Sequence, residues 1–401
     1  MIHINLKKVD KVNYIIGSNK ILVAPVEPYH EINLNFINDL SKALRKRKDI
    51  REYPDVMALA FWCRKSNIDK KSKKFRNNNF KIGLGLVFHI SPSNVPVNFA
   101  FSFLFGLLAG NSNVVRVPSK SFPQTQIICD EINKILHDHK YKHIKESNSF
   151  IDYERSDDIS GLISAQSDAR VIWGGDETVS NLKNLKSKSR CIDIAFADRY
   201  SFSIISTDAV ISAKPKELNL LIEGFFNDTY LMDQNACSSP HLIIWFGENA
   251  TKAKDIFWNS LHEFLLKKYQ IESVVAIDKY SALCGNSIEI EEIKSFKKYG
   301  NLIYTIQLEE LIKDIDNYPG KFGYFFEHET NSFDDIANIV NSKYQTITYY
   351  GINKTEIIDL IFRESLQGID RIVPIGQALD MDIIWDGYDV IGNLSRIIDV
   401  R

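Results

Sequence analysis

Cys237 lies in the polar segment Asp233-Gln-Asn-Ala-Cys-Ser-Ser-Pro, directly before the apolar run HLIIWF. A cysteine in a polar loop at the edge of a strand is open to substrate. As a thiolate it is a nucleophile for acyl groups, provided its surroundings lower its pKa. The residues alone leave two readings open, a reactive thiol or an ordinary loop thiol. The chain has five cysteines, Cys63, Cys129, Cys191, Cys237 and Cys284, scattered and without a CxxC spacing. That pattern points to neither a metal site nor a disulfide framework, and fits reduced thiols in a cytoplasmic protein. Cys129 falls on an amphipathic helical stretch, and it and Cys191 read as structural, since free cysteine is often a small buried hydrophobe.

Other residues are candidates for supporting roles. Asn94 sits in a turn just ahead of an expected helix start, where it serves either as a turn or cap residue or as an amide donor to an oxyanion. Gly174-Gly175 follows an apolar run and precedes a helical segment. Glycines there let the backbone approach a phosphate, and a tight turn explains them equally well. There is no GxGxxG and no Walker lysine motif. His89 lies within an apolar strand and reads as a core histidine. His241 begins a strand and is a weak candidate for a base.

These residues need a scaffold, and the chain shows one from about residue 81. Leu84–Ile90 reads as a buried strand, with Pro96 at a helix start and Val97–Ala109 apolar nearly all round, as a buried helix is. Strands follow at Asn113–Val117, Arg170–Trp173 and Ser201–Ser206, with an amphipathic helix over Pro123–His137. Strands alternating with helices imply parallel sheets and right-handed crossovers. A second α/β lobe is expected after that. It has helices over Glu217–Phe226 and Ala250–Tyr269, and strands at His241–Phe246, Val274–Ile277, Leu302–Ile306 and Thr346–Tyr350. The organisation predicted is a lead-in plus dinucleotide-binding domain over 1–206, a catalytic domain over 207–376 and a tail over 377–401 that packs on the body or on an oligomer partner.

Composition narrows the function. Hydrophobic residues make up 44% and charged residues 25%, as in a globular protein, and the net charge of −2 gives no electrostatic case for nucleic acid. The N-terminal residues are too polar for a signal peptide, and the longest apolar stretch, Val95–Gly110, is too short for a membrane span. Two basic stretches, Lys42–Arg51 and Arg64–Lys81, read first as solvated surface and second as contacts for coenzyme A phosphates or an acidic partner.

The run ISPSNVPVNFAFSFLFGLLAGNSNVVRVPSK resembles the signature block of the aldehyde dehydrogenase superfamily, WGGDETV its Phe-Thr-Gly-Ser turn, and DQNACSSPHLIIW its catalytic cysteine loop. With FADRYS, YQTITYYG, IVPIGQALD and WDGYD, the set is more closely similar to the acyl-CoA reductases of the LuxC type. These pieces span residues 88–389. The resemblance implies an aldehyde-dehydrogenase-like α/β fold, with a Rossmann-type cofactor-binding domain and an α/β catalytic domain. It also implies a homo-oligomer that takes acyl-CoA or another acyl thioester, with an acyl-activating or acyl-transferring protein as partner. Cys237 would be the nucleophile and Asn94 the oxyanion donor. Cofactor contacts would come from Ser91, Pro92, Arg116, Ser119, Lys120, Gly174 and Gly175.

Two departures from ordinary aldehyde dehydrogenases stand out. Their general-base glutamate lies in Glu-Leu-Gly-Gly-Lys, where this chain reads Phe196-Ala-Asp-Arg-Tyr. A reductase has no use for the water that this base activates. Their Lys-Pro-Ser-Glu becomes Val117-Pro118-Ser119-Lys120, and a lysine in place of the glutamate favours NADPH. The expected activity is NADPH-dependent reduction of a fatty acyl thioester to an aldehyde. The alternatives are aldehyde oxidation and a cysteine acyltransferase or thioesterase without redox chemistry.

Overall fold

A computed structural model describes residues 2–5, 12–75, 80–92 and 95–401. The chain divides into two units, residues 1–197 with 381–401, and residues 198–380. Among the described residues no helix is long and apolar enough to cross a membrane.

The first unit is built on a six-stranded sheet. Its five parallel strands run, across the sheet, Asn148–Asp152, Ser112–Arg116, Leu86–Ile90, Ala169–Trp173 and Ile192–Phe196, with Asn13–Ile16 antiparallel at one edge. Leu86–Ile90 is buried along its whole length, which a strand covered by helices on both faces requires. The chain leaves it into the helix Asn98–Leu108, all of whose residues are buried. The strand order reverses between Leu86–Ile90 and Ala169–Trp173, the switch point outside whose carboxyl ends dinucleotide folds bind their ligands.

His89 is fully buried in that central strand. Its ring nitrogens meet Ser102 Oγ at 2.8 Å and Asn113 Oδ1 at 2.9 Å, so it is a satisfied core histidine. Burial pushes its pKa down from 6.5 to about 4. Between those values the unfolded chain binds the extra proton, so stability is complete above about pH 6.5 and is lost as pH falls towards 4. The loss is up to about 1.4 kcal/mol per pH unit. Urea midpoints at neutral pH and near pH 5 check this: the wild type weakens across the range, and His89→Gln weakens less steeply.

The second unit holds a seven-stranded sheet. The order is Ile293–Tyr299, Ile303–Leu308, Tyr324–Thr330, Pro240–Phe246, Tyr200–Ser206, Tyr344–Tyr350 and Arg371–Pro374, parallel except for the first pair.

Three expectations change here. Tyr200–Ser206 belongs to the second sheet, between Pro240–Phe246 and Tyr344–Tyr350, so the units divide at 197/198 and not at 206. Its pattern, buried in all but Ser206, suits the middle of either parallel sheet, and only its distant partners decide which. The segment expected as a strand at Val274–Ile277 is the start of a helix, Ser273–Glu289. Its β-branched run suggested strand, yet Val274 and Ile277 are 56% and 65% exposed, one helical turn apart. The tail divides at 380/381, not 376/377. Residues 381–401 return to the first unit, where Val390, Ile391 and Leu394 are fully buried and Ser395–Ile398 pairs antiparallel with Phe80–Gly83.

Three cations of the basic stretches form ion pairs within the chain. Lys42 pairs with Asp39, Arg47 with Asp49 and Glu131, and the buried Lys71 with Asp382 at 2.5 Å.

Candidate active site

Cys237 lies at the amino end of Pro240–Phe246, in the loop that follows the helix Pro215–Thr229 and a short turn at Tyr230–Met232. The side chain is exposed while the backbone around it is tied down. The carbonyl of Cys237 accepts a hydrogen bond from Ser201 Oγ at 2.7 Å, and the same hydroxyl accepts from Thr346 N at 3.1 Å. Three neighbouring strands thus meet at the loop. Ser239 Oγ donates to the Asp228 carbonyl at 2.7 Å. The Asp228 carboxylate is buried and accepts from Gly376 N at 2.6 Å and Ala378 N at 2.8 Å, which binds the IVPIGQALD segment to the helix that leads into the cysteine loop. Burial lifts the Asp228 pKa to about 7 against the pull of those two donors.

The other thiols separate by environment. Cys63 and Cys129 are buried, and burial pushes both thiols up, Cys129 to about 12. Cys191 is half-buried and also raised by burial. Cys284 is exposed, on the helix Ser273–Glu289. His241 is buried with its ring stacked on Tyr200 at 5.3 Å, and burial lowers its pKa to about 4. It is neutral at neutral pH and packed as a core residue. Asn94 lies outside the described residues.

The first unit gathers the expected cofactor residues at the carboxyl edge of its sheet. Ser91 and Pro92 follow the central strand, and Gly174 and Gly175 follow the neighbour across the switch point. Ser91 Oγ is buried without a hydrogen-bond partner among the described residues. Arg116 ends the strand next to the central one. Its guanidinium lies 4.5 Å over the Tyr153 ring and donates to the Tyr153 carbonyl at 3.3 Å, and its Nε is buried without a partner among the described residues. Ser119 and Lys120 are exposed just beyond, with the Lys120 ammonium 5.4 Å from the Phe122 ring. A Cβ on Gly174 would stand 3.1 Å from Thr178, so close helix packing is one reason for glycine there. The helix Asp176–Lys183 opens with Asp176 and Glu177, which oppose a phosphate at its first turn. Basic and hydroxyl groups therefore cluster on the Arg116 side of the edge. Phe196, where the superfamily resemblance places a general base, is stacked on Trp173 at 3.8 Å.

The fold is an α/β fold of the aldehyde dehydrogenase type. Aldehyde dehydrogenase 21 from Physcomitrella patens, solved with succinate, superposes with a TM-score of 0.65 at 11% identity, over 92% of this chain and 86% of that one. Lactaldehyde dehydrogenase from Escherichia coli gives 0.60 at 14% identity, over 85% and 78%. The chain belongs to the acyl-CoA reductase (LuxC) family, whose pattern matches residues 22–398. It is similar to long-chain acyl-protein thioester reductases from Aliivibrio fischeri, 26% identical over 304 residues, and from Vibrio harveyi, 22% identical over 326. The matches cover 73% and 78% of this chain, and the chain spans 58% and 63% of the length of these relatives.

Sequence reading singled out Cys237 but missed Ser201, Asp228 and Gln234, which tie its loop down. Gln234 stood inside the quoted motif, and nothing local says that its side chain turns inward.

Proposed function

We propose that this chain reduces a long-chain acyl thioester, acyl-CoA or acyl-protein, to the aldehyde, with NADPH as reductant and Cys237 as nucleophile. The observation that carries the reading is an exposed cysteine on a fixed loop, in a chain of the acyl-CoA reductase family. The Cys237 thiolate attacks the thioester carbonyl, the carbon–sulfur bond to the donor breaks, and the donor leaves as a thiolate that takes a proton from water. Asn94 and the backbone N–H of Cys237 steady the oxyanion. NADPH, when bound, supplies the hydride that reduces the acyl carbon. The thiohemiacetal on Cys237 then collapses, releasing aldehyde and restoring the thiolate.

Arg116, Ser91, Ser119 and Lys120 suit the cofactor, because an unpartnered buried Nε and Oγ, an exposed hydroxyl and an ammonium match a phosphate's oxygens. Phe196 leaves the superfamily's base position without a carboxylate, which spares the acyl-enzyme from hydrolysis. NADPH consumption by the full chain, measured across acyl-CoAs of rising length and an acylated carrier protein with the product trapped, tests the proposal. One aldehyde should appear per NADPH consumed. Thioester cleavage without NADPH consumption would make the protein a thioesterase instead.

A further inference from the structure

Four residues with left-handed backbone face one another beneath the cysteine loop. Asp233 and Gln234 have φ of 50° and 62°, and Phe322 and Gly323 opposite them have 55° and 81°. Three of the four carry side chains, for which this conformation costs roughly 1–2 kcal/mol each, so surrounding contacts must hold it. The contacts are present. The Asp233 carbonyl accepts from Phe322 N at 3.1 Å, and its Oδ1 accepts from Tyr269 OH at 2.5 Å. Gln234 is fully buried, and its amide makes four hydrogen bonds. Oε1 accepts from Gly323 N at 3.0 Å and Tyr324 N at 3.1 Å, while Nε2 donates to the carbonyls of Tyr324 at 2.9 Å and Pro240 at 3.0 Å.

One side chain thus bridges the cysteine loop, from residue 234 to residue 240, and fastens it to the 322–324 turn. That turn is held from behind. Lys279 is 4% exposed, and its ammonium donates to the carbonyls of Phe322 at 2.6 Å, Asn301 at 3.0 Å, Leu302 at 3.2 Å and Gly323 at 3.3 Å.

We propose that Gln234 is the positioning residue for Cys237, and that Lys279 acts behind it by holding the turn on which Gln234 rests. The inference builds on Cys237 as nucleophile. With its backbone fixed on both sides, the Cα–Cβ bond that aims the Cys237 sulfur is held, and a misplacement of about 1 Å costs roughly a hundredfold in rate.

The test uses the full chain. Single-turnover acylation of Cys237 is measured at saturating acyl-CoA, together with KM, in Gln234→Met, Lys279→Met and Tyr269→Phe. Tyr269→Phe deletes one bond to Asp233 and leaves no cavity. We expect Gln234→Met and Lys279→Met to acylate about 10- to 100-fold more slowly with KM within about twofold of wild type, and Tyr269→Phe to slow by a few-fold. Wild-type acylation in folded Gln234→Met, or in Tyr269→Phe if Gln234→Met does not fold, overturns the proposal, as does a defect confined to KM. Failure of the underlying reading shows separately, as acyl label that persists in Cys237→Ala or maps to Cys284.

Discussion

Cys237→Ala abolishes acyl-enzyme formation and NADPH-dependent aldehyde release, with a loss of more than about ten-thousandfold, as is usual when a covalent nucleophile is removed. The expectation rests on the sorting of the five thiols. Cys63 and Cys129 are buried and held protonated by burial, and Cys191 is half-buried with its thiol raised. A thiol in that state is a poor nucleophile, because the thiolate is the reacting form. That leaves Cys237 and Cys284 as the exposed pair among the described residues. Only Cys237 lies on a loop whose carbonyl is fixed by Ser201 and whose flanks are fixed by Gln234 and Ser239. Alanine replaces an exposed residue and keeps the backbone bonds of the loop, so the melting temperature should stay within about a degree or two, as for most surface changes. A radiolabelled acyl donor should mark the wild type on Cys237 alone, and Cys284→Ser should label as well as wild type. Label retained by Cys237→Ala would move the nucleophile elsewhere.

The second large effect concerns the choice of nicotinamide. In dinucleotide folds the end of the strand beside the central one meets the adenosine ribose, and its charge selects between a 2′-hydroxyl and a 2′-phosphate. That strand here is Ser112–Arg116, and it ends in a guanidinium, with Ser119 and Lys120 just beyond. The Tyr153 ring and carbonyl hold the Arg116 guanidinium at this edge, and Nε has no partner among the described residues. Wild type should therefore use NADPH in preference to NADH. Each charge-assisted bond to the phosphate is worth about 1.5–3 kcal/mol, so Arg116→Ala combined with Lys120→Glu should shift the ratio of kcat/KM values towards NADH by about a hundredfold or more. Lys120→Glu alone, at an exposed position, should move the ratio in the same direction without disturbing the fold. A wild type that prefers NADH, or variants with unchanged preference, would remove Arg116 and Lys120 from the cofactor site.

Much of this protein was legible from local pattern. The Leu86–Ile90 strand and the all-buried Asn98–Leu108 helix could be read because continuous apolar runs between turn residues have few alternatives. Cys237 stood out because a cysteine among polar residues ahead of a strand is rare chemistry in a short window. The motifs around it were enough to reach the family, since their order carries information that no single one holds.

What the tertiary structure decided is non-local in each case. Tyr200–Ser206 is buried but for its last residue, so its own residues cannot say which sheet it joins, and Pro240–Phe246 and Tyr344–Tyr350 settle it. Val274–Ile277 looks like a strand until the turns of helix after it are counted. The tail's return to the first unit depends on Phe80–Gly83, more than three hundred residues earlier. The hydrogen bonds of Gln234 and Lys279 run to carbonyls and amides at 301–302 and 322–324. Residue types determine what a side chain can bond. Backbone groups brought in from distant parts of the chain determine what it does bond, and those groups carry no residue-specific signal in the sequence.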